Sequence, residues 1–143
     1  MNGIKVLRIG DEAFFVKKFL SKIIEDFAVI TEDNNPVHLD DDYAKKTFYK
    51  KRIAHGFLVG SLISTTITQK LPGNGTIYIS QSLIFKGPVF IDDEITARVR
   101  IVDFPNGNRI LLKTTCENQD GKIVLDGEAL VVPPRSIVLE KKF

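Results

Sequence analysis

The chain has 143 residues, 43% of them hydrophobic and 27% charged. That balance fits one soluble globular domain, residues 1–143, with apolar material for a single core. The 20 basic and 18 acidic residues leave a net charge of +2. The basic residues are scattered, which excludes a nucleic-acid footprint.

In chain order, the start Met1-Asn2-Gly3-Ile4-Lys5-Val6-Leu7-Arg8 lacks the long apolar core of a signal peptide, so a cytoplasmic protein is expected. Phe14-Phe15-Val16 reads as a short strand. Ser21 is placed to cap a helix on which Ile23, Phe27 and Ile30 fall at helical spacing, with Ile24 and Ala28 beside them. That helix breaks near Asp33, because Asn34-Asn35-Pro36 is turn chemistry and the residue before proline is pushed out of the helical region. A short acidic helix or turn follows from Asp40 to Thr47. Its run Asp40-Asp41-Asp42 reads as solvated surface and is a poor metal site, with no cysteine or second nearby histidine to join it.

Gly56 to Leu71 reads as the second major helix, apolar nearly all round and therefore buried, and stopped by Pro72-Gly73. From Ile53 to Gln69 the only titratable side chain is His55. The stretch is too short, and too rich in Ser and Thr, for a membrane span. Gly73-Asn74-Gly75 follows a helix and precedes a strand, the reverse of a dinucleotide-binding fingerprint. Ile77 to Phe85 is β-rich. Ile95, Ala97, Val99 and Ile101 alternate with Thr96, Arg98 and Arg100, a half-buried strand. Ile110, Leu112, Thr114 and Cys116 continue on one face of the next strand, after the turn Pro105-Asn106-Gly107-Asn108. Cys116, the single cysteine, rules out an internal disulfide and reads as a small buried side chain. Asp120-Gly121 makes the next turn, and Ile123 to Val131 the last strand, ended by Pro133-Pro134. One strand, two helical segments and four antiparallel strands make an α+β layer, with a buried helix against one antiparallel sheet.

The chemistry concentrates in Asp33-Asn34-Asn35-Pro36-Val37-His38. A carboxylate and an imidazole flank a proline that stiffens the turn. Reference values of about 3.9 for Asp and about 6.5 for His leave one charged and the other poised near neutral pH, as acid/base work requires. The second histidine, His55, stands in Arg52-Ile53-Ala54-His55-Gly56. Lys45, Lys46, Lys50, Lys51 and Arg52 form a local basic cluster suited to a phosphorylated ligand.

With their flanks these residues resemble the signature of the MaoC-like hydratases and dehydratases, which include the R-specific enoyl-CoA hydratases. The lead-in Phe27-Ala28-Val29-Ile30-Thr31-Glu32 precedes the Asp-to-His motif. Arg52 to Leu58, and Phe85-Lys86-Gly87-Pro88-Val89 leading to Asp92-Asp93-Glu94, match in family order. The resemblance covers roughly Gly10 to Pro133. It implies a hot-dog fold, with an antiparallel sheet wrapped around the Gly56–Leu71 helix. It also implies a homodimer or higher homo-oligomer, with a tunnel beside that helix for the acyl chain.

The activity implied is syn addition of water to a trans-2-enoyl thioester, giving the (R)-3-hydroxyacyl product. No cofactor and no metal are expected, coenzyme A or an acyl carrier protein serving only as substrate carrier. On the resemblance, Asp33 and His38 share one water, and Gly56 supplies an oxyanion-binding amide at the start of the buried helix. Asn35 organises the turn, and Ser64 supports the catalytic aspartate. His55 either lines the pocket or is held structurally through its ring hydrogen bonds. The alternatives are the same chemistry on an acyl-carrier-protein thioester, hot-dog thioester hydrolysis, and non-catalytic acyl-CoA binding.

Overall fold

A computed structural model describes residues 4–141 of the chain. It opens with β1 (Lys5–Arg8) and β2 (Glu12–Lys18), followed by the helices α1 (Ser21–Thr31), α2 (Pro36–Leu39), α3 (Asp41–Lys45) and α4 (Gly56–Gln69). The strands β3 (Ile77–Gln81), β4 (Ile84–Phe85), β5 (Glu94–Asp103), β6 (Ile110–Glu117), β7 (Ile123–Val132) and β8 (Ile137–Glu140) complete it. The main sheet runs β2-β5-β6-β7-β3, antiparallel throughout, with β4 also paired to β7. β1 and β8 form a separate parallel pair.

The period-two pattern sets which face of the sheet is inside. Pairing aligns Ala97 with Cys116 and Cys116 with Leu125, and Ile101 with Leu112 and Leu112 with Ala129. All of these are buried. Thr114 lies in the same layer and is satisfied there, its hydroxyl accepting from Gln81 Nε2 at 2.9 Å. Against this face lies α4, packed on β2, β5 and β6. Val59, Leu62, Ile63, Thr66 and Ile67 recur at three- and four-residue steps and are its buried residues. Each fully buried Ile contributes about 1.5–3 kcal/mol relative to exposure. This is the α+β hot-dog architecture, with α4 as its central helix.

Several local expectations are corrected. Leu20, not Ser21, stands at the N-cap of α1, and Ser21 is its first helical residue. The Ser21 hydroxyl instead donates to Glu25 Oε1 at 2.9 Å. Ile30 is 80% exposed, so the buried stripe of α1 is Ile24 and Ala28, with Ile23 and Phe27 half-buried. α4 is not buried on every side, since Phe57 and Ser61 are exposed. The β-rich stretch 77–85 is two strands, because the chain leaves the ladder at Ser82 and Leu83. Finally, Pro133-Pro134 ends β7 but not the strand structure, as β8 follows and pairs with β1.

Candidate active site

The Asp-to-His motif folds as a turn and a single helical turn. α1 ends at Glu32, whose φ of 62° reverses the chain. Asn35 caps α2, its side-chain oxygen accepting from the Val37 N–H at 3.3 Å, and Pro36 takes the first helical position, where no N–H is needed. His38 therefore projects from a short, rigid helix. The Asp33 carboxylate remains exposed, with the Asn35 N–H 3.4 Å from its Oδ1.

Both imidazoles are buried, and a backbone carbonyl fixes each tautomer. His38 Nδ1 lies 2.7 Å from the Ile53 carbonyl. A carbonyl only accepts, so Nδ1 carries the proton and Nε2 keeps a free lone pair. His55 Nε2 lies 3.0 Å from the Asp33 carbonyl, so His55 donates there and its Nδ1 is left unprotonated. That Nδ1 is buried with no hydrogen-bond partner among the described residues. The two rings stack with centroids 3.8 Å apart and planes 29° apart, and the edge of Phe27 closes on His55 at 4.8 Å.

This packing sets the basicity of His38. Burial pushes its pKa below the ordinary 6.5. The Ile53 carbonyl opposes that shift, His55 reinforces it and Asp33 opposes it. The net direction is downward, which keeps the ring neutral and able to accept a proton near neutral pH.

His38 lines a cavity of about 380 Å³, within the usual range for small-molecule sites. Gly56, Phe57, Phe85 and Val89 lie on its wall, with Tyr49, Ile53 and Pro88. Gly56 opens α4, and its N–H donates to no group among the described residues. A Cβ on Gly56 would lie 2.5 Å from Phe85 Cε1, so glycine lets the helix start pack under that ring as it stands. A free amide at a helix N-terminus, facing a mostly apolar cavity, suits a developing negative charge.

Asp33, His38 and His55 bring ligand-type atoms within 4.8 Å of one another. Stacked rings direct their lone pairs along near-parallel planes rather than toward one centre. The cluster therefore fits proton transfer better than a cation.

Not every expected residue gathers here. Asp33 is beside the histidines but not on the cavity wall, which is formed by the His38 side of the cluster. Ser64 lies on α4, half-buried, with no hydrogen bond to Asp33 among the described residues. Arg52 is corrected: it is 9% exposed and not part of the surface cluster. Its Nε donates to the His38 carbonyl at 2.7 Å and its Nη1 to Ser21 Oγ at 3.3 Å, with Glu25 3.8 Å from Nη2. Sequence reasoning missed this tie, and missed Phe85 as a site residue, although both stand in segments singled out above.

Residues 15–121 match the family described as MaoC like domain. The chain belongs to this MaoC-like family. A curated MaoC-like relative, an (R)-specific enoyl-CoA hydratase of Aeromonas caviae, is 41% identical over 90% of this chain and 96% of its own length. A second (R)-specific enoyl-CoA hydratase, from Rhodospirillum rubrum, is also 41% identical, over 90% of this chain and 89% of its own. A mitochondrial 3-hydroxyacyl-[acyl-carrier-protein] dehydratase of Arabidopsis thaliana is 35% identical over 95% of this chain and 83% of its own. Among solved structures, an (R)-hydratase from A. caviae superposes with a TM-score of 0.87 at 40% identity, covering 90% of this chain and 98% of that one. The MaoC-like fold is thus shared along nearly the whole chain.

Proposed function

We propose that this protein is a hydro-lyase acting on acyl-CoA: it adds water to trans-2-enoyl-CoA to give (R)-3-hydroxyacyl-CoA, and catalyses the reverse dehydration. The observation that carries the reading is the fixed tautomer of His38. Its free Nε2 belongs to a side chain on the wall of an acyl-sized cavity, beside the Asp33 carboxylate and the Gly56 amide, which has no partner among the described residues.

In hydration, His38 Nε2 takes a proton from water as the oxygen bonds to Cβ. Negative charge moves to the thioester oxygen, where the Gly56 N–H accommodates it. Cα then receives a proton from the Asp33–His38 pair, so H and OH add to one face of the double bond. Asp33 orients the water, which explains why its carboxylate stays open rather than locked in an ion pair. The two groups act as a coupled pair.

A second copy of this chain completes the reading. β3 is an edge strand, and Ile77, Ile79, Ile84, Phe85 and Phe57 are exposed around it. Isologous pairing along β3 would join two sheets and cover these side chains.

The test is a hydration assay that follows loss of the enoyl thioester absorbance across acyl lengths, with chiral analysis of the product. Formation of the (R) product from enoyl-CoA supports the reading. Release of free thiol from saturated acyl-CoA in its place would replace it with thioester hydrolysis. A far higher kcat/KM on an enoyl carrier-protein substrate would move the substrate to the carrier form.

A further inference from the structure

A second cavity, of about 370 Å³, lies beside the catalytic one and is lined by Lys45, Lys50, Lys51, Phe90 and Ile91, with Asp41 as its carboxylate. Arg52 also borders it but is committed to His38 and Ser21. The two cavities flank one pair of segments. Ile53 bridges to Phe90, and Ile53 and Val89 face the catalytic side while Lys51 and Phe90 face the other. Only the width of this bridged pair of segments therefore separates the cationic hollow from the cavity that His38 and Gly56 line.

Its charge is largely uncommitted. Lys50 and Lys51 form no ion pair among the described residues, and Lys45 meets only the exposed Asp42, at 3.7 Å. The backbone holds Lys50 at a φ of 65°, an unusual conformation for a side chain of this kind. Lys51 is carried over the face of Phe90, its Nζ 4.9 Å from the ring centre, which steers the ammonium along the hollow's wall. Three ammonium groups converging on a concave surface focus an attractive field on a multiply charged anion.

We propose that this hollow binds the phosphate end of the thioester's pantetheine carrier, with Lys50 and Lys51 as its principal cations. The inference rests on the reading of the catalytic cavity as an enoyl-thioester site. Coenzyme A and the phosphopantetheine arm of a carrier protein both present this chemistry.

The experiment compares enoyl-CoA, enoyl-phosphopantetheine and phosphate-free enoyl-pantetheine as substrates. It also compares coenzyme A with pantetheine as ligands in calorimetry. The wild-type protein is expected to favour the phosphorylated forms in KM and in binding, with a preference that shrinks as salt rises. The double variant Lys50→Glu/Lys51→Glu should raise KM for enoyl-CoA at least tenfold and abolish that preference. Lys50→Gln/Lys51→Gln should do so more weakly, and Lys113→Glu on the outer sheet face should leave it unchanged. An effect on enoyl-phosphopantetheine equal to that on enoyl-CoA assigns the hollow to the pantetheine phosphate. A larger effect on enoyl-CoA assigns it to the nucleotide phosphates. A wild-type protein without preference for phosphorylated carriers, or charge-reversed variants that keep it, overturns the proposal. Calorimetry reads the site independently of turnover. Carrier binding without hydration would therefore refute the enzymatic reading and leave this one standing.

Discussion

His38 and His55 stack at 3.8 Å, and each ring donates its proton to a backbone carbonyl, of Ile53 and Asp33 respectively. The two rings are thus oriented from two sides, and His38 is the one whose pKa is lowered. Adding a proton to His38 means charging a buried ring against a second imidazole, and burial is the larger part of that penalty.

A pH profile follows from this. The base form of His38 is active, and its pKa lies below the ordinary 6.5. The acid limb of kcat/KM for hydration should therefore fall below pH 6.5, with full activity above it. His55→Gln keeps a donor for the Asp33 carbonyl but removes the imidazole's contribution, so the limb should move upward. An acid limb at or above 6.5 in the wild-type protein would contradict the packing argument. Stability has the same sign. The unfolded chain takes up a proton near pH 6.5 before the folded one does, so His38 makes the fold less stable as pH falls below 6.5. This loss ends once the lowered folded value is passed.

Replacing the pair itself gives the sharpest loss. Asp33→Asn and His38→Ala should each lower kcat by at least about 100-fold, from typical acid/base contributions. Asp33 is exposed, so Asp33→Asn should melt near the wild-type temperature. Steady-state kinetics with a thermal melt checks both points, and near-normal turnover in either folded variant would remove that residue from the mechanism.

Much of this arrangement is legible in the sequence, for physical reasons. Alternation from Ile95 to Ile101 and from Ile110 to Cys116 reports burial on one face, because a strand's side chains alternate whatever their partner. The break after α1 is equally local, since Asn35 and Pro36 carry the turn chemistry themselves. β1 and β8 are different: each has four residues, and their pairing joins the two ends of the chain. Nothing local encodes a partner so distant. Arg52 fails for a related reason. Its neighbours Lys50 and Lys51 are solvent-facing cations, and only the fold turns this one inward to the His38 carbonyl. The His38–His55 stack likewise depends on where the start of α4 meets α2.

Gly56 separates packing from chemistry. Gly56→Ala places a methyl group 2.5 Å from Phe85 Cε1, so the ring or the helix start must move. The clashing atoms are the outer end of a half-exposed ring, so the strain is less than in a closed core. Turnover should fall further than that strain requires, because the free amide shifts away from the thioester oxygen. Adding Phe85→Leu to Gly56→Ala should restore much of the melting temperature. Recovery of kcat with it would mean that the glycine serves only to make room for the ring, whereas stability regained without kcat supports the amide's role.

Arg52 offers a test at one remove from the reacting atoms. Its guanidinium joins the His38 carbonyl to Ser21 on α1, so it fixes the height of α2 against α1. Arg52→Met keeps the length of the stem and removes the donors. The His38 carbonyl then loses this donor, at about 1–3 kcal/mol for a buried group left unsatisfied, while the half-buried Ser21 hydroxyl keeps its bond to Glu25. Because the imidazole shifts relative to the substrate, kcat should fall by about tenfold or more while KM changes little. Arg52→Lys retains charge but not the planar fork, and should recover stability more than rate. Purely structural action predicts something else: both variants, assayed well below their melting temperatures, would show wild-type kcat and an unshifted acid limb. The acid limb is the more telling readout, since a displaced His38 ring loses its bond to Ile53 and its stack on His55 together.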